Sequence, residues 1–211
     1  MSHYASPFIT LEGIDGAGKD TVLDAIRAEY PDAVFTKEPD DDTLYGEYVR
    51  DVIEDETAPP LTVFFAFLAD HAAHVEHTVR PALEAGKPVI CNRYIDSRYA
   101  YQSNELEGVV SNPLEFIDSI QTEGWAIFPD LTLLIDITPE EAMARIGSRG
   151  ETRDRFEKVE GLREKRDIYT TLAERNPDRF VRIDGMQSDD VAENKRLVAA
   201  DCLTAIERVM N

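Results

Sequence analysis

Residues Gly13 to Thr21 read GIDGAGKDT, and G-x-x-x-x-G-K is the spacing that wraps backbone N–H groups around a polyphosphate. Gly13, Gly16 and Gly18 allow tight turns and close approach of the backbone to phosphate, while Ile14, Asp15 and Ala17 fill the loop between them. Lys19 is placed to reach the outer phosphates, and a helix starting there adds the positive end of its dipole. The chemistry implied is nucleoside-triphosphate binding. One letter departs from the motif. The residue after the lysine is ordinarily Ser or Thr, whose hydroxyl ligates magnesium, and here it is Asp20. Thr21 follows, but one step along a helix turns a side chain by about 100°, so it does not simply take over. Either Asp20 serves the metal or the site is impaired.

Other chemistry-bearing residues fall at regular places. Thr36, Lys37, Glu38 and Pro39 form one group, Asn92, Arg93 and Tyr94 another, and Asp136 stands alone inside an apolar run. Arg149, Arg153 and Arg155 lie within seven positions of one another. In a chain this acidic they read as guanidinium clamps for a transferring phosphoryl group, or as one solvated helix face paired to Glu151, Asp154 and Glu157.

Positioning these groups requires strands that end beside them. Apolar, β-favouring runs occur at Phe8 to Leu11, Ala33 to Thr36, Val89 to Cys91, Leu131 to Ile137 and Phe180 to Ile183. Helical periodicity follows the glycine loop from Val22 to Tyr30. It recurs around Tyr45 to Ile53, Thr62 to Glu84, Glu140 to Ile146, Gly161 to Arg175 and Asp189 to Met210. Alternating strands and helices predict an α/β fold in three layers, a parallel sheet covered by helices on both faces. Ligands in such folds sit beyond the carboxyl ends of the strands, where the groups above fall.

At 211 residues, without repeat, composition break or low-complexity tract, the chain reads as one domain over 1–211. It has no apolar run of membrane-spanning length and no signal-peptide pattern at its start, so a cytoplasmic protein without membrane association is expected. Cys91 and Cys202 lack metal-ligand spacing and read as reduced thiols. The net charge of −20 argues against nonspecific nucleic-acid binding. Only six of the 22 basic residues are lysine, and the acidic residues are spread from end to end. That pattern suits a protein kept soluble in concentrated salt, where screening removes self-repulsion. No N-K-x-D guanine signature occurs, which disfavours a P-loop GTPase.

Taken in order, EGIDGAGK, TKEP, RPALEAGKPVICNRY, SRYAYQ, PDLTLLIDITPEEA, RDRFE and IDGMQS resemble the corresponding segments of the thymidylate kinases, P-loop nucleoside monophosphate kinases, over essentially the whole chain. The resemblance implies a five-stranded P-loop fold with an arginine-bearing lid near 147–159, a homodimer, and magnesium-dependent transfer of the ATP γ-phosphoryl group to dTMP. It implies Lys19, Arg93, Arg153 and Asp15 as catalytic, and Gly13 to Thr21 with Arg149 as the ATP site. Glu38, Arg50, Phe67, His71, Ser97, Arg98, Tyr101 and Gln102, with Asp15 and Arg93, would form the dTMP site, and Asp20 and Asn92 the metal site. Within it, Asp15 would meet the sugar 3′-hydroxyl, Arg93 the acceptor phosphate and Tyr101 the 2′ position. Phe67 would stack on thymine or simply pack in the core. Because the loop has Ala17 rather than a basic residue, the catalytic arginine is expected from the lid.

The chain also departs from that family. Asn92 replaces the aspartate of D-R-Y while Asp20 replaces Ser or Thr, so a carboxylate has crossed the metal site. His71 replaces an arginine and Arg98 a small polar residue, so a basic group has moved as well. These exchanges leave two alternatives to dTMP kinase activity: a kinase for dUMP or a modified pyrimidine deoxynucleotide, and an impaired nucleotide-binding protein.

Overall fold

The computed structural model describes residues 4–121, 124–148 and 159–210. Five strands, β1 (Phe8–Glu12), β2 (Val34–Lys37), β3 (Val89–Asn92), β4 (Leu131–Asp136) and β5 (Phe180–Asp184), form one parallel sheet in the order β2-β3-β1-β4-β5. Each expected run is a strand, within one or two residues at its ends. The register pairs Ile9 with Ile90 on one side and with Leu131 on the other. Every residue of β1 is buried, as parallel pairing with helices on both faces requires.

Nine α-helices occur among the described residues: α1 (Lys19–Glu29), α2 (Leu44–Glu54), α3 (Pro60–His74), α4 (Arg80–Glu84), α5 (Ile95–Gln102), α6 (Pro113–Gln121), α7 (Pro139–Ser148), α8 (Val159–Arg175) and α9 (Val191–Met210). The single long helix expected over Thr62 to Glu84 is α3 and α4 joined by a π-helical turn at Val75–Val79. Pro81, which has no N–H to donate, sits in the first turn of α4, where none is needed. Helices α5 and α6 were not anticipated. Buried Asp96, Arg98 and Gln102 interrupt the apolar stripe of α5.

The largest apolar core packs β1, β4 and β5 against α1, α8 and α9, with Leu11, Leu133, Ile135, Leu162 and Ile206 fully enclosed. A second core joins Phe8, Cys91, Tyr94 and Ile95 to Val75, Val79 and Leu83. Each fully buried aliphatic side chain contributes about 1.5–3 kcal/mol, which fixes the strand ends from which the site is built. Cys91 and Cys202 are both buried free thiols. No described helix is long and apolar enough to cross a membrane.

Candidate active site at the carboxyl ends of the strands

The loop between β1 and α1 sits at the middle of the sheet. Gly13 has φ +142°, and a Cβ there would lie 2.5 Å from the Ile135 carbonyl oxygen; at Gly16, with φ +82°, it would meet the Ala142 carbonyl at 2.8 Å. The sequence has glycine there because the loop presses on β4 and α7. Ile14 and Ala17 are buried under it. Lys19 Nζ donates to the Gly13 and Ile14 carbonyls at 2.9 and 3.1 Å, closing the loop on itself. Burial, then the neighbouring Arg93, push its pKa down to about 7, against the opposing pull of Asp15, Glu12 and Asp20.

Two cavities flank this loop. One is lined by Asp15, Glu38, Pro39, Ile53, Phe67, Arg93, Tyr94, Ser97, Arg98, Tyr101 and Gln102, and so lies beyond β2 and β3. The other lies over Gly16 to Gly18, Thr21 and Val22, between α7 and the segment after β5. The chain therefore presents two adjoining cavities with the glycine loop between them.

In the first cavity, Arg93 leaves β3 with φ +65°, a left-handed conformation that costs a non-glycine residue energy and marks functional positions. Its guanidinium donates to the Gly13 carbonyl and Ser97 Oγ, both at 3.3 Å, and to Asp15 Oδ1. Tyr101 donates to the other Asp15 oxygen at 2.9 Å. Burial raises the Asp15 pKa, but Arg93, Lys19, Tyr101 and Lys165 outweigh it and hold the carboxyl below its ordinary value. Beneath lies Glu12, fully enclosed, which accepts from the Tyr94 N–H at 2.8 Å, Ser97 Oγ at 2.7 Å and Tyr169 Oη at 2.8 Å. Burial and then Asp96 raise it to about 7.

At the far end of the cavity, Arg98 is 4% exposed and Gln102 2%. Arg98 Nη1 donates to Gln121 Oε1 at 3.0 Å and Nη2 to Glu38 Oε2 at 3.4 Å. Arg98 Nε and both amide atoms of Gln102 are buried with no hydrogen-bond partner among the described residues. Phe67 forms part of the apolar wall and also packs on the cluster of Val49, Val52 and Val63.

Two expected acceptor-site residues stand elsewhere. His71 is fully buried and does not line the cavity; it donates from Nδ1 to Glu38 at 2.7 Å and so backs the cavity wall. Arg50 is exposed and paired with Asp41 of the loop after β2, outside the cavity lining. Asp136 is no reactive group: Arg166 at 2.6 Å and Arg182 neutralise it. Burial opposes its ionisation, but these two guanidiniums keep its pKa below the ordinary value. Arg149, Arg153 and Arg155 lie outside the described residues, as does most of the expected lid.

The second cavity reveals a residue that sequence reasoning missed. Arg145 near the end of α7 reaches the Gly16 and Ala17 carbonyls at 3.4 Å and the Gly185 carbonyl at 3.1 Å. Its only sequence signal was a basic residue just before the arginine cluster. The facing loop is held by Asn194, whose Oδ1 accepts from the Gln187 and Ser188 N–H groups at 2.7 and 3.2 Å.

Between the cavities, Asn92 Nδ2 donates to Asp20 Oδ1 at 2.8 Å. The exchanged residues are thus in direct contact, and Asn92 Oδ1 is buried with no partner among the described residues. Among those residues no three His, Cys, Asp or Glu side chains gather into a metal cluster. Magnesium typically takes one or two carboxylates and completes its shell with substrate phosphates and water. One carboxylate and one amide oxygen beside a phosphate loop fit that habit.

A parallel sheet ordered β2-β3-β1-β4-β5 with this loop at its centre defines the chain as a P-loop nucleotide-binding protein of the nucleoside monophosphate kinase kind. Residues 11–195 match the family model described as thymidylate kinase. A probable thymidylate kinase of Methanosarcina mazei is 47% identical over 206 residues, covering 95% of this chain and 97% of that one. One of Natronomonas pharaonis is 44% identical over 183 residues, covering 86% and 90%. The crystal structure of thymidylate kinase from Ehrlichia chaffeensis superposes with a TM-score of 0.71 at 28% identity, over 95% of this chain and 98% of that one. The chain belongs to the thymidylate kinase family.

Proposed function

We propose that the protein transfers the γ-phosphoryl group of ATP to dTMP, giving ADP and dTDP, with the donor in the cavity beside Arg145 and the acceptor in the cavity beside Arg93. The observation that carries the acceptor's identity is the pair of buried, unpartnered groups at Arg98 and Gln102. Buried polar atoms left unsatisfied cost about 1–3 kcal/mol each, and a pyrimidine edge would supply their partners. Thymine offers O4 as acceptor and N3–H as donor, matching Arg98 Nε and Gln102 Oε1. Cytosine presents an amino group where Arg98 needs an acceptor.

Each part of the site then has a task. The loop N–H groups and Lys19 bind the donor phosphates, and Arg145 borders the donor base. Arg93 and Ser97 take the acceptor phosphate, Asp15 and Tyr101 the sugar, and Phe67 stacks on the ring. Arg153 and Arg149, which lie outside the described residues, are the groups that the family resemblance assigns to the transferring phosphoryl group and to the donor. Preorganised cations of this sort stabilise charge that develops in the transition state. Asp20 and Asn92 would hold magnesium, which when bound neutralises the phosphate oxygens. Arg50 would join the acceptor site only by leaving Asp41.

The protein would act as a homodimer in the cytoplasm. Tyr45 and Tyr48, three residues apart on α2, and Phe65 on the adjoining α3 are exposed aromatic side chains suited to a subunit contact. Sedimentation of Phe65→Glu should report a monomer.

The test of function is ADP release with ATP, magnesium and each of dTMP, dUMP, dCMP and dGMP, in salt matched to the protein's needs. Arg98→Ala should narrow the preference for dTMP over dCMP by about 1–3 kcal/mol. An unchanged ratio removes Arg98 from the base site, and no turnover with any acceptor favours the impaired-protein alternative.

A further inference from the structure

The wall behind Arg98 holds an unusual concentration of buried polar groups. His71 and His74, three residues apart on one face of α3, are both buried, and each directs Nδ1 to the same atom, Glu38 Oε1, at 2.7 Å. A carboxylate oxygen only accepts, so the proton in each ring sits on Nδ1. His74 Nε2 is tied in turn to Thr36 Oγ1 at 2.7 Å. The His71 ring lies 4.6 Å from Tyr94 and 5.2 Å from Trp125, centroid to centroid, which fixes its plane.

This arrangement saturates one oxygen of Glu38 and orients the other. Oε2 is left for Arg98 Nη2, while Gln121, itself fully buried on α6, takes Nη1. With each Nη holding one protein partner, Nε is the Arg98 nitrogen left without any among the described residues, and it is the donor placed to meet a ligand. Burying two imidazoles, a carboxylate and a guanidinium together is costly for a wall that only had to fill space.

We propose that His71 and His74 are positioning residues for base selectivity: by clamping Glu38 they fix the guanidinium of Arg98 against the acceptor base. The inference rests on the reading that Arg98 meets the base edge. It moves the origin of selectivity to two side chains that never touch the substrate, along a chain running from Thr36 through His74 and Glu38 to Arg98.

Amide isosteres separate positioning from packing. In His71→Asn the side-chain NH2 falls near the position of Nδ1, whereas in His71→Gln it falls near Nε2 and the bond to Glu38 is lost. The measured quantity is the dTMP-to-dCMP ratio of kcat/KM. His71→Gln should lower it about tenfold, the scale on which supporting hydrogen bonds affect a site, while His71→Asn should stay within about 1.5-fold of the parent. Arg98→Ala should lower the ratio too, and adding His71→Gln to it should lower it no further. Equal ratios for the two His71 variants would reduce the histidines to packing and overturn the proposal. A fall with His71→Gln but none with Arg98→Ala would show an effect that bypasses Arg98, and overturns it equally. No fall in either variant would overturn the base-edge reading together with this one. If His71→Gln does not fold, Thr36→Val, which cuts the outer bond at nearly constant volume, should lower the ratio about threefold; an unchanged ratio there has the same refuting force.

Discussion

Exchanging Asp20 and Asn92 tests the proposed magnesium site through two side chains already in contact. Asn92→Asp alone sets a second carboxylate against Asp20 where the parent has a 2.8 Å amide-to-carboxylate hydrogen bond. The lost charge-assisted bond is worth about 1.5–3 kcal/mol. The new repulsion, for unit charges about 4 Å apart, is about 1 kcal/mol at the dielectric of water and about 4 kcal/mol at an effective value near 20. Asp20 is exposed, so the lower end applies, and the single change should cost about 2.5–4 kcal/mol in the free protein. Asp20→Ser alone loses the same hydrogen bond and the only carboxylate of the pair, and should raise the magnesium concentration needed for half-maximal rate. The double variant has one carboxylate and one hydroxyl, the arrangement that the resemblance in sequence implies, and should recover. A coupling of about 1–3 kcal/mol is expected, roughly 5- to 150-fold in rate. The assay is ADP formation titrated with magnesium, paired with thermal unfolding in chelator, where repulsion in Asn92→Asp should be visible without any metal. Additive losses in both readouts would refute the exchange and leave Asp20 as a lesion in the site.

Lys19→Ala should lower turnover by on the order of 10²-fold or more, because the lost point charge acts on the phosphates in the transition state; steady-state kinetics with near-normal turnover would remove the loop from the mechanism. Arg153→Ala should depress kcat more than the affinity for ATP, since a group engaged only in the transition state does not hold the ground state; a change confined to KM for ATP assigns it to binding. Burial lowers the His71 pKa from 6.5 to about 4, against the pull of Glu38. The unfolded chain therefore binds the proton more readily, and this group's contribution to stability is lost as pH falls from about 6.5 to about 4, by on the order of 3 kcal/mol. Denaturant titrations across that window should show a shallower loss in His71→Asn than in the parent, and parallel curves would refute the assignment.

The sheet was legible because each buried parallel strand must be an apolar run, and Phe8 to Glu12 and Leu131 to Asp136 are such runs. The glycine loop was legible because phosphate binding imposes residue types at fixed spacing. Helix α5 was not, since its buried face carries Asp96 and Arg98, whose partners come from distant parts of the chain, and Gln102, whose side chain has none among the described residues. The fate of His71 was hidden for the same reason. Glu38 lies 33 residues before it, and nothing local in the sequence distinguishes a histidine facing a ligand from one clamping a carboxylate behind the wall. Arg50 fell outside the cavity because the acidic loop after β2 supplies Asp41 as its nearest anion. Arg145 was passed over because its role depends on the carbonyls that α7 happens to face.

The strand order has a consequence for how such a protein can change. Everything lining the acceptor cavity hangs from the β2–β3 half of the sheet or from the loop, and everything lining the donor cavity hangs from the loop or the β4–β5 half. Apart from that loop the two linings share no residue, so the acceptor half can change its charged residues on α3 and α5 while the donor half keeps its shape. A designer seeking a new acceptor could vary α3, α5 and the end of β2 as one cassette and leave the ATP half as constant scaffolding.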